Sequence, residues 1–382
     1  MILRAGVFYD GSLDEPRRNV DIVIGSGCIR DVRAASGNAD RESACVTPGL
    51  VNAHAHLEFS GEPDTMTVVQ TLPPMDRMLR AVENARKSLK AGVTSIRDLG
   101  ASENISIELR EAIARGGVPG PRIRAAGRVL CMTGGHGWPI GRAIDGPWDA
   151  RKGVREQRLA GADCIKLIAT GGVLTKGAVP GLAQLTPEEM SAACEEAHRH
   201  GLRVGAHAIG TQGIKDALRS GVDSIEHGHL LDDEAIALFK ERGAYLVPTL
   251  CAISCIMEHA ESGGQPDFVV RKAREINEHA HANITRAFQA GVKIAGGSDA
   301  GTPFNYHENY ADEVISMHTL LGMTPRQALH AATAVASELL DFDCGVLAPG
   351  RPADLLMLDR DITEDIRTLR EPRAVYKDGR LV

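Results

Sequence analysis

Two histidines stand one residue apart in Asn52-Ala53-His54-Ala55-His56-Leu57. Alternate side chains of a strand share a face, so His54 and His56 could grip one metal ion. Such a pair alone is equally compatible with hydrogen-bonded histidines in a core. Lys166 lies in Cys164-Ile165-Lys166-Leu167-Ile168, an otherwise apolar run. A lysine inside a buried strand is costly unless it is neutralised or paired. One reading is a snorkelling or salt-bridged side chain. The sharper one is an amine of depressed pKa that reacts with carbon dioxide, giving a carbamate suited to bridging two divalent cations. His207 ends Gly205-Ala206-His207, and His227 and His229 fall in Ser224-Ile225-Glu226-His227-Gly228-His229. Asp299 sits in Gly296-Gly297-Ser298-Asp299-Ala300-Gly301. The glycines allow close backbone approach, and the carboxylate suits a ligand and base, or a helix N-cap.

These residues can act together only if the fold gathers them. Through the middle of the chain, short apolar runs alternate with longer helical patterns, the signature of a parallel sheet covered by helices. Strands are expected at 49–54, 94–98, 122–126, 164–169, 203–207, 224–227, 245–249 and 293–297, and helices at 76–91, 102–115, 187–200, 213–220 and 232–242. Glycines 92, 201, 221, 243 and 291 are expected to stop helices in left-handed caps before the next strand. Eight strand–helix units predict an α/β fold, a (β/α)8 TIM barrel; a doubly wound sheet is disfavoured because no G-x-G-x-x-G follows the first strand. The long stretches 133–147, 171–183, 251–266 and 301–309 then become loops on the C-terminal rim, where barrel active sites lie. Short strands expected at 1–9, 20–24, 28–33, 354–358 and 374–377, with a hairpin turn at Asp378-Gly379, suggest that both termini pair into one small β-sandwich domain. The expected domains are 1–47 and 344–382 for this unit and 48–343 for the barrel.

Composition narrows the class. The chain has 382 residues, 43 Lys+Arg against 50 Asp+Glu, a net charge of −7 and 43% hydrophobic residues, as in a globular protein. Mild acidity argues against nucleic acid as a partner. No apolar run of about 18 residues offers a membrane span. Residues 1–25 lack the basic head and apolar run of a signal peptide. None of the 8 cysteines forms a CxxC pair, so buried free thiols and a cytoplasmic location are expected.

The order His-x-His, Lys, His, His, Asp on successive strand ends resembles the amidohydrolase superfamily. So do Val46-Thr47-Pro48-Gly49-Leu50-Val51-Asn52-Ala53-His54-Ala55-His56-Leu57, Thr94-Ser95-Ile96-Arg97-Asp98-Leu99-Gly100, Thr133-Gly134-Gly135-His136-Gly137 and Gly345-Val346-Leu347-Ala348-Pro349-Gly350-Arg351-Pro352-Ala353-Asp354. Together they look like its imidazolonepropionase-related, prolidase-like (Xaa-Pro dipeptidase-type) branch, over essentially the whole chain. The resemblance implies two divalent metal ions, usually Zn2+: His54, His56 and Asp299 on one, His207 and His227 on the other, with the carbamate of Lys166 bridging. It implies hydroxide attack on a carbonyl, Asp299 passing the proton to the leaving nitrogen, and a small amide or peptide-like substrate.

His136 is read as a substrate contact or a loop brace, His229 as an orienting partner rather than a ligand and as a candidate substrate contact, and His307, with Asn305 and Tyr306, as a candidate for substrate selection. Arg97 and Asp98 look like an ion pair on the rim. Peptide-cleaving members of the branch often carry Tyr shortly after the fifth-strand His; Ile209 stands here, leaving room for a less polar amide or a cyclic substrate. The rival readings are a mononuclear ring aminohydrolase, a carbamate, urea or ester hydrolase, and a barrel that only binds. Homo-oligomers are common among such barrels.

Overall fold

Alternating apolar runs become strands wherever one face can pack on helices. In the computed structural model, which describes residues 1–261 and 263–382, β1–β4 span Ile2–Phe8, Arg17–Gly25, Cys28–Ala34 and Arg41–Pro48. β5–β9 follow at Leu50–Ala55, Val93–Asp98, Arg122–Ala125, Val129–Cys131 and Gly141–Ala143. β10–β14 are Cys164–Ile168, Arg203–Ala208, Ser224–His227, Tyr245–Val247 and Lys293–Ile294; β15–β17 are Leu355–Leu358, Ala374–Lys377 and Arg380–Leu381. Helices α1–α6 span Thr65–Thr71, Pro74–Lys90, Ile105–Ala114, Pro147–Ala160, Pro187–Arg199 and Thr211–Ser220. Helices α7–α12 span Asp233–Arg242, Leu250–Glu258, Asp267–Gln289, Tyr310–Leu321, Pro325–His330 and Ala336–Leu340.

The barrel wall runs β5-β6-β7, then β10-β11-β12-β13-β14, all parallel. Asp163 N–H donates to Ala125 O (2.8 Å) between the third and fourth strands. The ring closes through Ala53 N to Gly296 O (2.9 Å), Asp299 N to His54 O (2.8 Å) and His56 N to Ala300 O (2.9 Å). Those closing bonds clamp the His-x-His segment to the segment carrying Asp299. Ile96, Val204, Ala206 and Ile225 join the apolar cluster shared with the surrounding helices. Strand alternation therefore turns Arg97, Gly205 and Glu226 inward.

The terminal strands form one seven-stranded sheet, β17-β16-β15-β4-β1-β2-β3. It curls so that Ile29 N–H reaches Arg351 O (2.9 Å), enclosing a core of Leu3, Ile22, Ile29, Leu355 and Tyr376. The sandwich is thus a bent sheet, and its hairpin turns at Asp378 (φ +50°) and Gly379 (φ +69°).

Several expectations needed correction, among them the stretch 133–147, expected as a loop, which holds β9 at Gly141–Ala143. The third barrel strand breaks at Gly127 (φ +67°) into β7 and β8. β4 was not anticipated; it enters β5 across Gly49 alone. The stretch 251–266, expected as a loop, opens with α8, a mostly apolar helix that carries only Ser254 and Glu258 as polar residues on its less buried side. The five expected helix-stop glycines all take positive φ, between +65° at Gly243 and +96° at Gly221. All eight cysteines are free thiols, and among the described residues no helix is long and apolar enough to cross a membrane.

Candidate metal centre and active-site cleft

The barrel gathers the strand-end residues into one cleft of about 80 Å3, lined by His54, His56, Lys166, His207, His227 and Asp299 among others. On its floor, His54 Nε2 and His56 Nε2 each lie 3.2 Å from Asp299 Oδ1. His54 and His227 have ring centroids 5.3 Å apart, and His207 and His227 4.5 Å. Lys166 pairs in register with Gly205 on the neighbouring strand. Burial holds the imidazoles of His207 and His227 well below the usual histidine value, which keeps their nitrogen lone pairs available. Burial also pushes the Lys166 amine down to about 8. At Asp299 burial acts to raise the pKa, but the facing imidazoles of His54 and His56 hold it well below the usual carboxylate range.

Three of the candidate ligand rings are aimed by a group behind them. His56 Nδ1 meets Gly100 O at 2.8 Å, His227 Nδ1 meets Thr249 Oγ1 at 2.8 Å, and His54 Nδ1 lies 3.0 Å from Glu226 Oε2. Such contacts set ring orientation and tautomer in metal sites. Asp299 (φ +59°), His227 (φ +74°) and Thr249 (φ +48°) are all left-handed, a strained state for non-glycine residues and most so for β-branched threonine. Asn305 Nδ2 donates to Ser298 O (2.6 Å), bracing the turn that presents Asp299.

Sequence reasoning missed Glu226 and misplaced Arg97 and Asp98, which do not pair on the rim. Adjacent strand residues face opposite ways, so the two part. Asp98 accepts from Leu57 N–H (2.8 Å), whereas Arg97 crosses the barrel to Glu226 Oε1 (2.9 Å), Ser224 Oγ (3.1 Å) and Ala53 O (2.7 Å). Arg97 is 2% exposed and Glu226 0%. A β-carbon at Gly205 would stand 2.9 Å from Glu226 Oε1, so this pair occupies the space a side chain there would need. The available signal was a pair of opposite charges within two strands that the sequence already placed in the barrel wall.

His136 and His229 line the cleft. His136 Nδ1 lies 2.8 Å from Thr175 Oγ1, its ring stands 4.5 Å from that of His207, and burial pushes its pKa down to about 3. His229 is 5.6 Å from His227 between centroids, and Thr249, not His229, supplies the hydrogen bond that orients His227. His307 is absent from the cleft lining. Its Nε2 meets Phe59 O (2.8 Å), and Phe59 in turn stacks on His56 at 5.1 Å. It therefore props a wall, and Tyr306 is likewise absent from the lining. Ile209 faces the cleft.

The donor set fits a metal. His54, His56 and Asp299 offer ligand atoms within 4.8 Å of one another. Their 3.2 Å separations are long for charge-assisted hydrogen bonds, yet match the edge, about 3.3 Å, of a tetrahedron with zinc–nitrogen bonds of about 2.0–2.1 Å. Lys166 Nζ and His207 Nε2 are buried with no hydrogen-bond partner among the described residues. Such orphans require an explanation, and an unrepresented ion is one.

Comparison with known proteins agrees. The Amidohydrolase family profile matches residues 45–382. The ochratoxinase of Aspergillus niger is 31% identical over 425 residues, spanning 100% of this chain and 86% of the relative. A Xaa-Pro dipeptidase with methionine bound in its active site superposes with a TM-score of 0.91 at 32% identity, covering 100% of this chain and 99% of that one. A prolidase complexed with N-methylphosphonate-L-proline gives 0.91 at 30% identity, covering 100% and 98%. With a metal-type donor cluster at the mouth of the barrel and these relatives, the chain belongs to the amidohydrolase family and is a hydrolase acting on carbon–nitrogen bonds.

Proposed function

We propose that the chain is a binuclear metal-dependent hydrolase of amide or peptide-type bonds, with Asp299 as general base and general acid. His54, His56 and Asp299 would hold one divalent cation, His207 and His227 the other, and Lys166 as a carbamate would link them; imidazole and carboxylate donors suit zinc. The observation that carries this reading is the partnerless Lys166 amine, buried in the same cleft as a partnerless His207 Nε2. A carbamate there would add two anionic acceptor oxygens of the kind that bind divalent cations. Bound there, the cations supply Lewis acidity to the scissile carbonyl and lower the pKa of the attacking water.

The remaining work falls to the chain. Asp299 takes the proton from the water and returns it to the leaving nitrogen, so the amine departs neutral. Thr175 Oγ1 accepts from Gly137 N–H (3.3 Å) and can donate its own hydrogen to His136 Nδ1 (2.8 Å), the arrangement that puts the ring proton on Nε2. His136 Nε2–H can then donate to the substrate carbonyl oxygen as charge develops on it.

Metal analysis of the purified chain should find two equivalents; one equivalent would favour a mononuclear aminohydrolase and refute the proposal. Lys166→Ala should lose bound metal and activity, with partial recovery when a short-chain carboxylic acid is added. Full activity without the additive would refute the carbamate.

A further inference from the structure

Apart from histidines and Thr302, the polar side chains lining the cleft are Lys166 and Asp299, and the rest of the lining is apolar or glycine. Leu174, Ile209, Ile253 and Ile256 form one wall, part of an apolar cluster that extends into α9. Phe59 and Ile140 belong to a second apolar cluster that also lines the cleft. Among the described residues the lining contains no arginine, no carboxylate except Asp299 and no amine except Lys166. Both of those belong to the metal and proton-transfer apparatus proposed above. Lys272 stands behind the wall, its Nζ donating to Thr175 O (2.8 Å) and lying over the Phe268 ring (5.0 Å). Arg77 is committed to Glu58 (2.9 Å) and Glu103 (3.1 Å).

A substrate carboxylate is bound strongly when it meets a cation or a fork of donors. In this cleft it would shed its hydration against isoleucine and leucine side chains, which is unfavourable without a partner. An apolar substituent gains from the same surfaces. We infer that the substrate is an amide or carbamate uncharged on both sides of the scissile bond, with an aryl or branched alkyl group on its leaving amine. Free dipeptides and N-acyl amino acids are then poor substrates. The inference rests on the hydrolytic reading of the site and adds its substrate class.

The test is a matched pair on the metal-loaded full chain: N-hexanoylphenethylamine and N-hexanoylphenylalanine, which differ only by the carboxylate. The neutral amide should show at least a tenfold higher kcat/KM. Equal or better hydrolysis of the acid overturns the inference and leaves the hydrolytic reading standing. Ile209→Arg should shift the ratio toward the acid by at least tenfold, and an unchanged ratio in a folded variant would also overturn it. Competition of the pair for the cleft, measured by titration calorimetry, gives a readout without turnover. Tighter binding of the neutral amide supports the inference, whereas tighter binding of the acid, or no binding of either, overturns it. Binding of the neutral amide without cleavage of either compound by fully metal-loaded protein would refute the hydrolytic reading alone.

Discussion

Replacing Glu226 by glutamine should destabilise the barrel far more than a one-atom change suggests. The carboxylate has no solvent exposure and faces Arg97 at 2.9 Å, while Ser224 Oγ donates to the same Oε1 at 2.5 Å. Burial acts to raise its pKa, and the Arg97 charge overrides it, so Glu226 is an anion opposite a cation in a closed interior. In Glu226→Gln the guanidinium keeps its bonds to Ala53 O and Ser224 and can keep an amide oxygen in place of Oε1, but it loses its counter-charge, and the new amide N–H2 takes the Oε2 position, which lies 3.0 Å from His54 Nδ1. Removing one partner of a buried pair costs about 3–5 kcal/mol, or roughly two to four orders of magnitude in the folding equilibrium. Removing both is much milder, because an apolar pair of similar volume has no charge to strand. Urea unfolding followed by circular dichroism should therefore show Glu226→Gln well below wild type. The double variant Arg97→Met/Glu226→Leu should recover most of the loss, giving a coupling energy of at least about 2 kcal/mol. A wild-type midpoint for Glu226→Gln, or strictly additive losses in the cycle, would refute the reasoning.

Other substitutions test the site piece by piece. Asp299→Asn should keep its fold yet lose about 10²–10⁴ in kcat, since the amide cannot carry the proton between water and leaving nitrogen; steady-state kinetics with metal content measured alongside will decide. Thr249→Val preserves the β-branched shape at φ +48° and deletes only the hydroxyl at His227 Nδ1. It should weaken metal retention about 10–100-fold in a chelator competition assay, and unchanged retention would show that His227 is oriented by packing alone.

The barrel and its candidate ligand residues were legible in the sequence because both depend on local pattern. Apolar runs of strand length, helices stopped by left-handed glycines, and polar residues at the run ends are features of neighbouring positions, and repetition of the unit placed those ends on one rim. His54, His56, Lys166, His207, His227 and Asp299 all line the predicted mouth. His307 was misread because it, too, follows a strand; its imidazole turns onto Phe59 O and away from the cleft. The helix at Leu250–Glu258 was hidden because a helix that supplies a cleft wall on one side and packs on α9 on the other keeps only Ser254 and Glu258 as polar residues, too few to give a clear 3.6-residue period.

What the sequence determined by itself was therefore the set of strand ends and the chemistry standing on them. Only the tertiary structure decided who supports whom. Arg97 and Glu226 are separated by 129 positions and His227 and Thr249 by 22, and they meet because strand register and barrel closure bring them together. Gly205 yields its volume to a charge pair from two other strands. Such pairings are set by long-range geometry that no local spacing encodes. The groups aiming the candidate ligands, and the apolar walls selecting what reaches them, therefore emerged only from the closed barrel.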